Sequence, residues 1–363
     1  MSQRPAGELR RGWTTGACAA AAARAALSAL LTGHFPDPVT IRLPRGERPS
    51  FALALKERRD GAARAGIVKD AGDDPDVTHG ALVIAEVAPG PAGSGLAFHA
   101  GNGVGRVTRP GLPIGVGEAA ITAGPRAMIA AALEDAAAEA DIARPADLAV
   151  TLSIPGGEAL AAKTLNARLG IVGGLSILGT TGIVTPYSCA AWIHSIHRGI
   201  DVARAAGLTH LAAATGSTSE QAVQRLFGLP DTALIDMGDF VGGTLKYLRR
   251  HRVPRLTLAG GFAKLAKLAA GHLDLHSGES RVDAAALAAM LEALGAERTI
   301  LDAARAAESA GEVLMRAGEW RERLALTVAR QAREVALATL AGGIAVDVAV
   351  FDRAGALLAH AGA

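Results

Sequence analysis

The 363-residue chain is predicted to be an α/β protein. Three observations carry that expectation. From Cys189 onward, short apolar runs alternate with helical patterns at strand–helix spacing, which argues for a mostly parallel sheet. The length suffices for two domains, or one large α/β domain, with a well-buried core. Half of the residues are hydrophobic but only 3% aromatic, a composition suited to close helix packing through small side chains.

Composition also limits function. Lys and Arg number 37 against 35 Asp and Glu, a net charge of +2, and no block of like charge occurs. Nucleic-acid binding is therefore not expected: the basic residues are scattered and aromatics for base stacking are few. The two cysteines, Cys18 and Cys189, frame neither a disulfide scaffold nor a zinc knuckle, which fits a reducing, cytoplasmic compartment. Arg10-Arg11 before the apolar run Ala17–Leu31 looks like a twin-arginine export signal. Arg24 interrupts that run and no cleavage site closes it, so an alanine-rich helix capped by Thr14 or Thr15 is the better account. No run approaches the ~18 uninterrupted apolar residues of a membrane span, and no membrane partner is expected.

In the first half, Val39–Leu43 alternates like a strand that Pro44-Arg45-Gly46 ends. Phe51–Lys56 and Arg64–Lys69 are strands about an Asp60-Gly61 turn. The loop that follows sets Asp70, Asp73, Asp74 and Asp76 around Gly72 and Pro75. It lacks the alternating ligands and distal glutamate of a calcium loop. A solvated turn explains it, as does a loop that holds a general base or orients a cation before apolar Ala81–Val87. Leu96–His99 leads into Gly101-Asn102-Gly103-Val104-Gly105, which is not G-x-G-x-x-G, and Pro110 forbids a helix directly after. A hairpin or strand edge carrying Arg106 and Arg109 is expected; both can clamp carboxylates or be solvated. Pro125 opens a helix to Ala140, and Asp147–Ile154 is a strand.

The stretch 152–188 concentrates Gly156, Gly157, Gly170, Gly173, Gly174, Gly179 and Gly182 among Ile, Leu and Val. Glycine gives up more backbone freedom on folding than alanine, so such density marks sharp turns or close approach of the main chain to something. A domain-crossing segment and a wall of a ligand cleft both remain open. Helices are then expected at Cys189–Ala206, Gln221–Phe227, Phe240–His251, Phe262–Ala270 and Asp283–Leu294. The long region Ala303–Leu340 is helical with a break near Gly318. Strands fall at Leu208–Ala214, Ala233–Asp236 and Arg255–Ala259, and Ala345–Phe351 with Ala356–Ala359 closes the chain as a hairpin.

The strongest chemical pointer is a set of strand ends. Leu208–Ala214 runs into Thr215-Gly216-Ser217-Thr218 and a helix N-terminus, whose N–H groups favour an anionic or polar ligand. The next strand ends at Asp236, with Asp239 beside it, where nucleoside-binding folds place an acid for ribose hydroxyls. A third ends at Gly260-Gly261. Together they outline the crevice of an open α/β sheet, although helix capping alone explains the same residues. His194 and His197 have metal-like spacing without further ligands, so no metal is expected. His276-Ser277 has no acid at a dyad's spacing. Cys18 is expected to be a buried structural cysteine rather than a nucleophile.

Laid out in order, these blocks resemble the CbiD family, the cobalt-precorrin-5B (C1)-methyltransferases of cobalamin biosynthesis. The matching stretches are Arg11–Ala20, Lys69–Thr78, Gly103–Leu112, the segment 152–188, Thr215-Gly216, Met237–Gly242, and Lys264–Ala269 with His276-Ser277. One departure is Ala263-Lys264, where the family reads Gly-Lys, which puts close ligand approach at that turn in question.

The resemblance implies an N-terminal α+β domain, residues 1–190, and a Rossmann-like α/β domain, 191–363, on the S-adenosylmethionine side. It implies methyl transfer from S-adenosylmethionine to carbon 1 of a corrinoid whose cobalt belongs to the substrate. Thr215, Gly216, Asp236, Asp239 and Gly242 would then bind the donor. Thr14, Thr15, Arg106, Arg109, Lys163 and Arg168 would bind the acidic macrocycle, and Asp74 or His79 would handle a proton. A nicotinamide-dependent oxidoreductase and a non-catalytic corrinoid-binding protein are the alternatives, and neither residues nor resemblance fixes an oligomeric state.

Overall fold

A computed structural model describes residues 9–59, 61–278, 280 and 282–362. Contacts divide the chain into two compact units, one ending at Ser188 and the other beginning at Cys189.

The first unit is built on the helix Thr15–Thr32. Thr14 caps it, its hydroxyl accepting the Ala17 N–H at 3.1 Å, and Gly33 ends it in the left-handed conformation, φ +83°. This helix is long and apolar enough to cross a membrane, yet 78% of it is buried inside its own unit. Strands Ala62–Val68 and Leu82–Pro89 and the helix Ala123–Glu139 all pack on it. Small residues permit that approach: a Cβ on Gly16 would lie 2.7 Å from Pro125 Cγ. Arg24, which interrupts the apolar run, is buried, donates to the Thr40 carbonyl at 2.5 Å and reaches Glu139.

The sheet of this unit orders its strands Leu55–Arg59, Ala62–Val68, Leu82–Pro89, Leu148–Ser153 and Leu96–Ala100, antiparallel except for the last pair. The expected strand Phe51–Lys56 is split. Ser50–Phe51 pairs with Val39–Thr40, then Leu53 N donates to Asp37 Oδ1 and Ala54 N to Gly66 O as the chain changes partner. Asp60 of the expected turn lies outside the described residues; Gly61 has φ +75°.

The glycine-rich segment threads through this unit as three short pairs. Ile171–Val172 lies against Arg106–Val107, Gly174–Leu175 against Gly103–Val104, and Ile183–Val184 against Gly12–Trp13. Where these cross, main chain touches main chain. A Cβ on Gly103 would fall 1.9 Å from Ile154 O, one on Gly157 2.3 Å from Gly103 O, and one on Gly174 2.2 Å from Gly103 C. Backbone crossing therefore accounts for the glycines at this knot.

In the second unit the strands lie in the order Leu234–Asp236, His210–Ala214, Arg255–Gly261, Ala345–Phe351, Leu357–Ala361. In the unit's own chain order that is 2-1-3-4-5, parallel except for the last strand. Alternate residues feed two cores. Leu211, Ala213, Leu256, Leu258, Val346 and Val348 face the larger, which also takes Ile196, Leu245, Leu265 and Val328 from the helices Cys189–Ala205, Val241–Arg250, Phe262–Ala269 and Arg321–Leu340. Ala212, Ala214, Ala259 and Phe351 face the smaller, covered by Ala222 and Val223 of the helix Ser217–Phe227. The region expected as one broken helix is Arg298–Arg305, Ala310–Arg316 and Arg321–Leu340. The break at Gly318 is present; the other stands before Ser309, whose hydroxyl accepts the Glu312 N–H at 3.2 Å.

The two cysteines differ in accessibility. Cys18 is fully buried and burial pushes its thiol up to about 12, whereas Cys189 is exposed. A thiol reagent at neutral pH is expected to label Cys189 in the native protein and Cys18 only after denaturant is added. Native labelling of both, followed by peptide mapping, would contradict the packing around the first helix.

Candidate active site

At the carboxyl ends of the second sheet, the chain leaves His210–Ala214 on one face and Arg255–Gly261 on the other. Such a reversal opens a crevice between the two strand ends, the place where open α/β sheets bind ligands. Thr215 and Gly216 stand on one side of it and Gly260-Gly261 on the other. Thr215 N donates to Ala259 O at 2.9 Å, and a Cβ on Gly260 would meet Thr215 Oγ1 at 2.9 Å, so Gly260 leaves room for that side chain. Gly216 faces open space: a Cβ there would meet nothing within 4 Å. Its carbonyl accepts the Glu220 N–H and the Ser219 hydroxyl, closing the first turn of Ser217–Phe227.

Asp236 ends the neighbouring strand, half-buried, and its carbonyl accepts the Trp192 indole N–H at 3.2 Å. Asp239 is buried and its carboxylate is held by Lys264. Gly242 donates its N–H to Leu273 O at 2.8 Å, and a Cβ there would lie 2.9 Å from Leu273 Cβ. Thr215, Gly216 and Asp236 thus border the crevice, while Asp239 and Gly242 hold Lys264 and the segment around Leu273.

The residues expected to meet the macrocycle fall into two groups in the first unit. Arg106 and Arg109 are exposed, and Arg106 donates to Gly117 O at 3.3 Å. Register sets Arg106 opposite Val172, and the stem of Arg109 lies along Gly170, where a Cβ would be 2.7 Å from Arg109 Cβ. Arg168 precedes this turn in the chain. Lys163 is exposed on the turn after the helix Gly157–Ala161. Thr14 and Thr15 have structural partners: Thr14 caps the first helix, and the Thr15 hydroxyl both donates to Leu178 O and accepts from Leu178 N.

The acidic loop is tightly bonded. Arg10 forks onto Asp70 with contacts of 2.5 and 2.9 Å, and its N–H donates to Asp73 Oδ2 at 2.6 Å. The Arg10 guanidinium, with the Gly72 N–H, holds the Asp70 carboxyl down at about 2. Asp74 accepts the Tyr187 N–H at 2.9 Å. Lys69, only 1% exposed, donates to Asp76 Oδ2 at 2.5 Å, and Asp76 Oδ1 takes the Thr78 N–H and hydroxyl. His79 accepts the Ala71 N–H on Nδ1 at 3.1 Å, which leaves the exposed ring its Nε2 for exchange.

Sequence reasoning missed Arg10, Lys69 and Lys267. The lone cation beside a run of acids is a usable signal for Lys69; Arg10 lies sixty residues before its acidic partner Asp70, and no local pattern announces that pairing. Among the described residues, no three His, Cys, Asp or Glu side chains gather as a metal site. His197 instead stacks on Tyr247, with ring centroids 3.9 Å apart.

The family model CbiD matches residues 2–186, and the model CbiD, C-terminal domain, matches residues 274–362. The chain is 59% identical over 354 residues to the cobalt-precorrin-5B C(1)-methyltransferase of Brucella anthropi, covering 97% of this chain and 96% of that protein. With the protein of the same name from a Bradyrhizobium species the identity is 61% over 351 residues, 96% and 93% of the two chains. Among solved structures, the cobalamin biosynthesis protein CbiD of Archaeoglobus fulgidus is 30% identical, with 75% of this chain and 84% of that one covered and a TM-score of 0.41. The chain belongs to the CbiD family.

Proposed function

We propose that this chain methylates carbon 1 of cobalt-precorrin-5B, giving cobalt-precorrin-6A, with S-adenosylmethionine as methyl donor. The observation that carries the proposal is the near-full-length identity, 59% and 61%, to two proteins bearing that activity's name. The donor supplies an electrophilic methyl group, and the protein's task is alignment and exclusion of water. Orientation of this kind is worth ~7–11 kcal/mol of barrier.

Thr215, Gly216 and Asp236 take the nucleoside side in this proposal. The open space at Gly216 and the helix start beyond it suit a polar ligand, and Asp236, at the end of the neighbouring strand, takes the ribose hydroxyls in this reading. Asp239 and Gly242 support that site from behind. Arg106, Arg109, Arg168 and Lys163 pair with acetate and propionate groups of the ring; beside Arg106, Val172 is 58% exposed and offers an apolar surface to a flat macrocycle. His79, or Asp74 once released from Tyr187, exchanges the ring proton. Cobalt arrives within the substrate, and the enzyme works in the cytoplasm without nucleic-acid or membrane partners.

A thermal-shift comparison of S-adenosylhomocysteine, NAD and a corrinoid tests the proposal. The first and third should each raise the melting temperature, and Asp236→Ala should remove the first response. Response to NAD alone would favour an oxidoreductase, and response to the corrinoid alone a carrier protein.

A further inference from the structure

The helix Phe262–Ala269 carries Lys264 and Lys267 one turn apart. Both ammonium groups reach the same acceptor, the Leu275 carbonyl, Lys264 at 3.2 Å and Lys267 at 2.9 Å. Two cations on one oxygen are close neighbours, and like charges drawn out of water repel strongly. The Asp239 carboxylate pairs directly with Lys264, while at longer range its charge and that of Asp274 favour the charged form of Lys267. Lys267 is 7% exposed, and among the described residues no carboxylate lies at ion-pair distance from it. The nearby acid Asp274 is turned to the His276 N–H.

An ammonium carries three donors, and Lys267 places one of them on Leu275. Burial, and then the Lys264 charge, push its protonation below the ordinary lysine range. Burying a charge without a direct ion-pair partner is costly, and a bound anion would relieve that cost. The location adds to the argument. Lys264 stands in the first turn after Arg255–Gly261 and Asp239 lies just past Asp236, so the lysine pair sits at the carboxyl end of the sheet, with the crevice. The Lys264 side chain is 34% exposed, which opens the pair to solvent while Lys267 backs it.

We propose that Lys264 and Lys267 form a seat for a ligand carboxylate, with Asp239 as the positioning residue for Lys264. The inference rests on the methyl-transfer proposal and extends it to residues outside the nucleoside set. Two carboxylates have the required chemistry: the amino-acid end of the methyl donor and an acid side chain of the macrocycle.

Calorimetric titration of the full-length chain separates them with four probes. These are S-adenosylhomocysteine, 5′-methylthioadenosine (which lacks the amino-acid end), cobyrinic acid and its heptamethyl ester. Each is titrated into the wild type, Lys267→Met and Lys264→Met, with melting curves to confirm folding. The expected result is that both variants lose about tenfold or more in affinity for one acid probe and stay within about twofold for its acid-free partner. Loss for S-adenosylhomocysteine assigns the seat to the donor; loss for cobyrinic acid assigns it to the ring. Unchanged affinity of the variants for both acids overturns the inference and leaves the methyl-transfer proposal standing. A wild type that binds no S-adenosylhomocysteine overturns that proposal instead. Should neither variant fold, the wild type alone decides: equal affinity for acid and acid-free partners in both pairs overturns the seat, and preference for an acid supports it.

Discussion

Replacing Gly103 with alanine is expected to lower the unfolding free energy by about 3 kcal/mol or more, the sum of left-handed strain and forced overpacking. Its φ is +74°, and the new methyl would stand 1.9 Å from Ile154 O and 2.9 Å from Gly157 N. Those are backbone atoms, and they cannot swing aside as a side-chain tip does. Gly156 provides the control. Its φ is +75°, yet a Cβ there meets nothing within 4 Å, so alanine should cost only the conformational strain of about 1–2 kcal/mol. Denaturant unfolding of both variants isolates the crossing. Equal losses would mean that the three glycine strands do not pack as described.

Removing the carboxylate of Asp76 should have a comparable effect, about 3–5 kcal/mol, because Lys69 would be left as an unpaired buried ammonium. Lys69 is 1% exposed and Asp76 25% on their side chains, with the pair at 2.5 Å. Changing both, Asp76→Ala with Lys69→Met, should recover much of the loss, since the stranded charge is gone. The same pair sets an acid limit. Burial pushes the Asp76 carboxyl up, but the Lys69 charge and the hydrogen bonds from Lys69 and Thr78 more than offset this and hold it below the ordinary value. Its contribution is therefore complete above the unfolded value of about 3.9 and fades as pH falls through the lower folded one. Stability of the wild type should drop across that acid window more steeply than that of the double variant. Parallel curves would remove the pair from the account.

Local pattern made the second unit legible. The final parallel strand Ala345–Phe351 and the helix beginning at Cys189 stand where alternation and periodicity place them, because each element there is followed by its own sheet neighbour or crossover. The three strand ends at Thr215, Asp236 and Gly260 also emerge from the sequence, since helix-start residues directly after apolar runs have a local signature. The first unit was harder. Its pairs join residues far apart, such as Gly12 with Val184, and its two-residue strands carry no periodicity. Thr14 could be recognised as a cap from its neighbours alone, but nothing near Thr15 announces hydrogen bonds to Leu178. Arg10, Lys69 and Lys267 were obscured for the same reason: their meaning lies in burial and in distant partners. The whole-chain resemblance compensated, because it follows the order of motifs rather than their contacts.

Methyl transfer itself is the most direct measurement of the central claim. The purified protein is incubated with cobalt-precorrin-5B and S-adenosylmethionine labelled with carbon-13 in its methyl group, and the product is analysed by mass and NMR. The account predicts one added methyl group, its label bonded to carbon 1 of the ring, with S-adenosylhomocysteine formed in equal amount. Label at another ring carbon, or an unmethylated macrocycle after prolonged incubation with folded protein, would contradict it.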